Sequence, residues 1–383
     1  MHLAGYGGPY AGSFVPTLRS VMRAAGDRGW SCEAVFGPVA KDRVWLNELR
    51  ADGIPFRFVP TIARGDVAET VGAILSESDE PTVLHTHFSR FDVAAVMAAS
   101  GRRATKVFWH VHTPHHDSSS VRLRNRMKYA LAGRRVERIL CVSSELEQVV
   151  VDRGAPRGKV EFLHNAVNVE RFRLLERPER ELARLRLGLP LDQPLLAHFG
   201  WDWERKGGDL FLRAVRALRE RGVEVVAVTV GGGAPARALR DELHLGHAVH
   251  VLDPTDDVRA LYAAADVFVA PSRAEGTPYS VMEALSSGTA VVATDIHGHA
   301  AIGAGIDSCM ITSQDPGELA LAAQALIDRK PHEAAADSLA SHLWMRENLN
   351  LSRWSADLVD RYEHALGRLA AAPAEPVPLP AYP

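Results

Sequence analysis

The amino-acid sequence predicts an α/β fold with two parallel sheets, each covered by helices on both faces. Three observations support this class. Short apolar runs of strand length alternate with helical patterns, the alternation occurs in two successive halves, and a chain of 383 residues is long enough to form two separate cores. Hydrophobic residues make up 46% of the chain and charged residues 24%, and no apolar run reaches membrane-spanning length, so the composition is that of an ordinary globular protein.

The first half begins with a very short strand, the glycine-rich loop 5–14 and a helix at Val15–Ala25. Runs of β-branched and aromatic residues then predict further strands. They lie at Cys32–Phe36, Phe56–Val59, Val83–His87, Lys106–Trp109 and Ile139–Val142, with helical patterns between them.

The second half repeats this scheme. Its predicted strands lie at Leu195–Phe199, Val223–Val230, Val249–Val251, Val267–Val269 and Ala290–Ala293. Beyond Asp337 an apolar stripe predicts a helix, and the Ala- and Pro-rich end of the chain predicts disorder. We therefore expect four parts, namely a first domain at 1–168, a second domain at 169–343, a terminal helix at 344–370 and a disordered tail at 371–383.

Two glutamates stand eight positions apart where a predicted strand passes through a turn into a helix. Glu275 belongs to the loop after the strand at Val267–Val269, and Glu283 belongs to the first turns of the following helix. Ligands of open α/β folds bind at the carboxyl ends of the strands, where carboxylates accept hydrogen bonds from sugar and ribose hydroxyls. A solvated helix start is the alternative interpretation of this spacing.

A glycine-containing loop at 200–209 leads from a predicted strand into an amphipathic helix. Helix N-termini attract anions, and Lys206 adds a positive charge directly before Gly207. The segment therefore predicts a phosphate-binding loop, with an exposed loop lysine as the alternative. A second glycine run at Gly231–Gly233 also connects a strand to a helix, and it suits either a nucleotide-side loop or an ordinary turn.

Together these segments resemble the E-x7-E signature of retaining glycosyltransferase family 4, whose members have the two-domain GT-B fold. The similarity continues through Ala263–Asp266 and Gly288–Asp295, and through Val142–Ser144 and Leu163–Phe172 in the first half and at the junction. The resemblance implies two Rossmann-like domains with parallel sheets that face a central cleft. It also implies that the terminal helix crosses back to the first domain.

The reaction implied by the resemblance moves a sugar from a nucleotide diphosphate sugar, with a UDP- or GDP-sugar expected, to an acceptor hydroxyl. The acceptor is a small molecule, a lipid-linked molecule or a glycan. Configuration is retained, a donor phosphate oxygen takes the acceptor proton, and no metal takes part. Because the nucleotide sugar is itself the co-substrate, no cofactor is expected.

The resemblance implies four catalytic residues. Glu275 binds hydroxyls of the donor sugar, Lys206 and Arg205 stabilise the diphosphate, and His112, which matches the family's V-H-T element, lies beside the donor sugar. Trp201 stands where the family usually has an arginine, so Arg205 is the candidate that supplies this cation.

The implied donor-binding set adds residues from the glycine-rich loops and from the segment between the two glutamates. These are Gly12, Ser13, Gly207, Gly232, Ser272, Gly276, Thr277, Pro278, Tyr279 and Glu283, with Glu283 on the ribose. Candidates on the acceptor side are Tyr10, Phe14, His85 and His87, for which simple packing or a structural role is the alternative.

The histidine-dense segment His110–Asp117 leaves a second enzyme class open, because it resembles the ligand sets of metal-dependent binuclear hydrolases. A third alternative is a GT-B scaffold that binds a nucleotide sugar without transferring it, made inactive by the departure at Trp201. Epimerisation or phosphorolysis on the same fold is a related possibility.

Charge and cysteine content limit the partners. The net charge of −3 gives no reason to expect nucleic acid, no secretory leader is visible, and the three widely spaced cysteines predict reduced thiols, so we expect a cytoplasmic protein. The basic segment Arg122–Lys128 predicts either a solvated helix face or a weak contact with anionic lipid at the inner face of the membrane. No motif specifies the oligomeric state.

Overall fold

The computed structural model describes residues 1–112, 119–255 and 257–368, which form two compact units. Among the described residues, the first unit contains Met1–Asn165 and 352–368, and the second contains Ala166–Leu351. The boundary therefore follows residue 165, compared with residue 168 in the sequence prediction. The tail predicted at 371–383 lies outside the described residues.

The first unit is built on a seven-stranded sheet with the order β3-β2-β1-β4-β5-β6-β7, in which every neighbouring pair is parallel. The strands are β1 (His2–Ala4), β2 (Ala34–Phe36), β3 (Phe56–Phe58), β4 (Thr82–His87), β5 (Thr105–Val111), β6 (Arg138–Cys141) and β7 (Val160–Phe162). The helices that precede residue 165 are α1 (Phe14–Gly26), α2 (Leu46–Ala51), α3 (Arg64–Leu75), α4 (Asp92–Ala98), α5 (Ser119–Met127) and α6 (Ser144–Asp152). Each predicted strand overlaps an observed one, and β7 is an additional strand at the sheet edge.

The second unit contains a six-stranded parallel sheet with the order β10-β9-β8-β11-β12-β13. The strands are β8 (Leu195–Phe199), β9 (Val226–Val230), β10 (Val249–Leu252), β11 (Val267–Ala270), β12 (Ala290–Thr294) and β13 (Cys309–Thr312). The helices are α7 (Arg177–Leu187), α8 (Gly208–Glu220), α9 (Gly233–Glu242), α10 (Val258–Ala264), α11 (Tyr279–Ser286), α12 (His297–Gly303), α13 (Pro316–Ile327) and α14 (Pro331–Asn348). The sequence analysis did not predict β13, which is short and lies at the sheet edge.

The C-terminal helical region is divided into two helices. After α14 ends, the chain pairs with Val167, whose amide donates to the carbonyl of Leu349 at 2.8 Å. The helix α15 (Leu351–Ala365) begins only after this pairing. The single helix predicted at 344–370 is therefore wrong in its start, because backbone groups at 349–351 bond to a segment that lies far away in the sequence.

The strand order of each sheet changes direction at one point. In the first unit, β1 lies between β2 and β4, and in the second unit β8 lies between β9 and β11. The loops that leave the carboxyl ends of two such strands diverge to opposite faces of the sheet, which creates a crevice for a ligand. The loops after β8 and β11 therefore lie where the sequence analysis places Lys206 and Glu275.

Along 1–112, 119–255 and 257–368, each helix is either too short or too polar to span a membrane.

Candidate functional site

The loop after β8 lies against the loop after β11 because of one glycine. Gly207 has a φ of +67°, and a Cβ atom at this position would lie 1.9 Å from the carbonyl oxygen of Pro271. The next residue, Gly208, is covered by the ring of Trp203, which a Cβ atom would meet at 2.2 Å. Only glycine at positions 207 and 208 permits these two contacts. Together the contacts fix the start of α8 beside the end of β11.

This contact brings the predicted cations to the first predicted glutamate. The Lys206 Nζ atom lies 2.6 Å from Glu275 Oε1, and Arg205 Nη1 lies 3.0 Å from Glu275 Oε2. The Ser272 hydroxyl donates to Glu275 Oε1 at 3.1 Å. We call Arg205, Lys206 and Glu275 the ionic cluster.

Electrostatics keeps Glu275 ionised. Burial alone would raise the pKa of Glu275, but the charges of Lys206 and Arg205 outweigh burial and hold this pKa below its ordinary value of 4.5. The carboxylate is therefore available as an acceptor of hydrogen bonds. Two cations thus meet at one carboxylate, where their N–H groups can also donate to an anionic ligand.

Sequence reasoning missed the ion pair that supports this cluster. Arg273 binds Asp209 in a bidentate pair, with both N–O distances at 2.8 Å, and Arg273 Nη1 also donates to the carbonyl oxygen of Glu204. Arg205 is held in turn by Asp202 at 2.7 Å. The first turn of α8 is thereby fixed to the loop after β11.

Glu283 lies on the buried face of α11, inside the helix as predicted. Its Oε2 atom accepts a hydrogen bond of 2.9 Å from the hydroxyl of Tyr262. Burial and the charge of Glu283 raise the pKa of Tyr262 well above its ordinary value, so the tyrosine remains a donor. The sequence offered no local signal for Tyr262, which comes from α10.

The remaining donor-side candidates of the second unit lie on the loops after β9 and β11 and at the start of α11. Gly276 and Thr277 continue the loop after β11, Pro278 precedes α11 and Tyr279 is its first residue. Gly232 precedes α9 and forms the turn after β9. The structure thus gathers the predicted residues of this unit on loops at the carboxyl ends of β8, β9 and β11.

Trp201 packs on the glycine turn after β9. A Cβ atom on Gly231 would meet the Trp201 ring at 2.9 Å, and this ring lies 5.0 Å from that of Phe199. Trp201 therefore supplies no charge at the position where the resemblance implies an arginine. Arg205 lies beside Lys206 instead, on the same carboxylate.

His299 of α12 is a further residue that the sequence analysis missed. Its neighbour Gly298 touches the loop of Glu275, because a Cβ atom there would lie 2.1 Å from the carbonyl oxygen of Gly276. Burial lowers the pKa of His299 to about 4, and its Nδ1 atom lies 2.9 Å from the carbonyl oxygen of Thr294. The neutral imidazole is thus held by Thr294 at the end of β12, next to the residue that touches the loop of Glu275.

In the first unit, the loop after β1 is packed by aromatic rings. Gly12 has a φ of +55° and Ser13 precedes α1. The Tyr6 hydroxyl donates to the carbonyl oxygen of Tyr10 at 2.7 Å, and its ring lies 5.0 Å from that of Phe14. Phe14 is buried, so packing accounts for it.

Five histidines form a continuous group on one face of the first sheet. They are His2 on β1, His85 and His87 on β4, His110 on β5 and His112 directly after β5. Residues two apart on a strand share a face, and His2 pairs with His85 while His87 pairs with His110 across the sheet. We call these five residues the imidazole row. Burial lowers the pKa of every member, so the rings are neutral.

The structure also bears on two residues named in the sequence analysis. His85 is completely buried and its Nδ1 atom bonds the Tyr362 hydroxyl, which agrees with the structural role that the sequence left open beside the acceptor-side one. Lys128, assigned to the basic face of a helix, instead turns inward to Asp92 at 2.5 Å. Of the predicted metal segment His110–Asp117, residues 113–118 lie outside the described residues.

Two family models match large parts of the chain. The model described as Glycosyltransferase Family 4 matches residues 23–171, and the model described as Glycosyl transferases group 1 matches residues 193–329. The first match contains His112. The second contains Lys206, Glu275 and Glu283.

Characterised relatives agree with these models. D-inositol 3-phosphate glycosyltransferase 1 of Catenulispora acidiphila is 28% identical over 311 residues, covering 72% of this chain and 73% of that protein. The D-inositol 3-phosphate glycosyltransferase of Mycolicibacterium smegmatis is 30% identical over 217 residues, covering 54% of this chain and only 49% of that protein.

A solved structure shows the same fold. Anabaena HepE in complex with UDP and glucose matches with a TM-score of 0.78 at 18% identity, over 94% of this chain and 99% of that one. Because the identity is low, the likeness establishes the fold and carries no residue roles.

We predict that Glu275→Gln changes the pH dependence of stability. A carboxyl whose pKa is lowered on folding stabilises the fold above its unfolded pKa, and this contribution disappears as the pH falls through the folded pKa. The difference in free energy of unfolding between the wild type and Glu275→Gln should therefore shrink from about pH 7 to about pH 3. Urea denaturation at a series of pH values measures it.

The control for this prediction is Glu181→Gln, which alters an exposed ion pair on α7. Its difference from the wild type should remain small throughout. A Glu275→Gln difference that grows on acidification would contradict the described electrostatics.

Proposed function

This chain belongs to the glycosyltransferase family 4 and group 1 enzymes of the GT-B fold, and we propose that it transfers a sugar from a nucleotide diphosphate sugar to an acceptor hydroxyl with retained configuration. The observation that carries the proposal is the ionic cluster at the carboxyl ends of β8 and β11. Two adjacent cations suit a diphosphate, and an ionised carboxylate suits sugar hydroxyls.

In the proposed mechanism, Lys206, Arg205 and the N-terminus of α8 stabilise the leaving nucleoside diphosphate. Negative charge on this group grows in the transition state, so cations that are already fixed lower the barrier more than they strengthen substrate binding. Two protein cations thereby supply the charge that a metal ion supplies in other transferases. We propose transfer without a metal ion for this reason.

Glu275 and Glu283 take the hydroxyls in this proposal. Glu275, kept ionised by Lys206 and Arg205, accepts hydrogen bonds from donor-sugar hydroxyls. Glu283, held by Tyr262, binds the ribose through its second oxygen. For His112 we propose the role implied by the family, namely that its neutral ring stabilises positive charge at the anomeric carbon.

The names of similar proteins suggest the substrates to be tested first. HepE is described in complex with UDP, and the relatives are named for D-inositol 3-phosphate. We therefore propose a UDP-sugar as donor and a small phosphorylated polyol as acceptor. The metal-dependent hydrolase interpretation is not favoured by these relatives, and a non-transferring protein would bind a donor without forming product.

We predict that one class of nucleotide sugar stabilises the protein strongly. A ligand at about one hundred times its dissociation constant adds about 2.7 kcal/mol to the free energy of unfolding. Thermal-shift measurements with UDP-, GDP-, ADP- and TDP-sugars identify the base. If none of the four raises the unfolding midpoint, the donor proposal fails.

We predict that Glu275→Gln and Lys206→Ala each lower kcat by at least about tenfold, because each removes a preorganised polar contact. Sugar transfer is measured with the donor found by the thermal-shift screen and with an inositol phosphate acceptor. Glu181→Gln and Lys330→Ala, which alter exposed ion pairs, are the matched controls and should keep the wild-type rate. Wild-type rates in both test variants would remove the ionic cluster from the mechanism.

We also propose that α5 and the turn after it contact an anionic membrane surface. The apolar stripe of this segment faces solvent, with exposed fractions of 62% for Leu123, 56% for Met127 and 64% for Leu131. Arg122, Arg124 and Arg126 are exposed on the same helix. Apolar side chains flanked by arginines are complementary to a lipid surface with negative headgroups.

We predict that the protein sediments with phosphatidylglycerol vesicles and not with phosphatidylcholine vesicles. The double variant Leu123→Ser/Met127→Ser should weaken this binding by at least about tenfold, because it removes the apolar contact. Leu339→Ser, on an exposed apolar residue of α14, is the control. Equal binding by all three proteins would show that α5 is a solvated face.

A further inference from the structure

We propose that His2, His85 and His87 bind one divalent transition-metal ion, for which Zn²⁺ fits the ligand set best. One ring nitrogen from each of the three lies within 4.8 Å of the other two. All three side chains are buried. Imidazole nitrogens without carboxylates favour zinc and its neighbours among the transition metals over magnesium or calcium.

Strand geometry makes this set convergent. His85 and His87 are separated by one residue on β4 and therefore share a face of the sheet. His2 on β1 is the direct partner of His85 across the sheet, so its ring stands on the same face. Two histidines from one strand and a third from the neighbouring strand thus bring one ring nitrogen each within 4.8 Å of the other two.

One of the three nitrogen pairs already has the separation of two zinc ligands, and the third ring nitrogen lies within 4.8 Å of both. The Nδ1 atom of His2 and the Nε2 atom of His87 are 3.1 Å apart. Two ligands of a tetrahedral zinc ion with bonds of 2.0–2.1 Å lie about 3.3 Å from each other. Burial keeps all three imidazoles neutral, which is the form that binds metal.

Outer contacts hold two of the three rings in a ligating orientation. The Nδ1 atom of His85 bonds the Tyr362 hydroxyl, and Nδ1 of His87 lies 3.1 Å from Nε2 of His112. The remaining His85 nitrogen, Nε2, is buried and has no hydrogen-bond partner in the described part of the chain. A metal ion would satisfy this atom, and metal-bound histidines are usually held at their other nitrogen in this way.

A second combination, His87 with His110 and His112, fits less well. Its nitrogens also lie within 4.8 Å of one another. However, neither nitrogen of His110 has a hydrogen-bond partner among the residues that the structure describes, so no polar contact orients its ring. We therefore place the ion on the β1–β4 side of the imidazole row.

The fourth coordination position would face a small cavity. This cavity of about 10 Å³ is bordered by His2 and His87 and by the side chains of Phe14, Asn165 and Trp354. It is large enough for one water molecule. Three histidines and a water complete a four-coordinate site, whose role we infer to be structural because it joins β1 to β4.

The test uses the full chain and does not depend on glycosyl transfer. The wild-type protein, stripped with a chelator and then dialysed, is titrated with Co²⁺, and we expect one equivalent to bind with the visible absorption of tetrahedral cobalt. Added Zn²⁺ should displace the cobalt and raise the unfolding midpoint. Binding of no metal ion by the folded wild type would overturn the proposal.

Two variants locate the ion. His85→Gln should abolish the cobalt spectrum and the zinc-induced shift, whereas His110→Gln should retain one equivalent. If His85→Gln does not fold, His2→Gln replaces it, and the His110→Gln result still discriminates between the two combinations. Loss of the metal ion in His110→Gln, or its retention in His85→Gln, would overturn the assignment.

Discussion

The close approach of two backbones, at Gly207 and Pro271, is the constraint on which the candidate active site depends. Lys206 directly precedes this contact and Glu275 follows it on the other loop, so the salt bridge between them exists only because the two loops touch. A side chain on Gly207 would separate the loops and remove the cations from the carboxylate. The ionic cluster of the second unit thus depends on the absence of a Cβ atom at position 207.

Charge balance explains why further ion pairs surround the three residues of the ionic cluster. Buried or partly buried charges are costly unless each has a partner. Asp202 holds Arg205, and Asp209 holds Arg273 in a bidentate pair, so these two carboxylates and Glu275 balance the charges of the three cations and keep the loop ordered. In the proposed mechanism a diphosphate would meet cations whose positions are already fixed, which is the condition for preferential stabilisation of a transition state.

The sequence identified what local patterns encode and missed what distant pairing creates. Interior strands such as β8, β11 and β12 are buried on both faces and therefore appear as continuous apolar runs. The edge strands β7 and β13 lack this signal, and the interruption between α14 and α15 depends on pairing with Val167. Likewise, Glu275 and Lys206 follow from their places after strands, whereas Tyr262 and Arg273 act through partners 21 and 64 positions away.

The imidazole row shows the same limit in a different way. Histidines are densest in the sequence at His110–Asp117, but the pairing of β4 with β1 and β5 decides which imidazole rings are neighbours. Because β4 lies between β1 and β5, His87 has neighbours on both sides, at 3.1 Å from His2 and 3.1 Å from His112. A neutral imidazole has one N–H donor and one acceptor nitrogen, so His87 donates to one of these neighbours while its other nitrogen accepts from the second neighbour or binds a metal beside it. Whichever arrangement His87 adopts also sets the tautomer of His112, so the interior of the first sheet controls the residue expected beside the donor sugar.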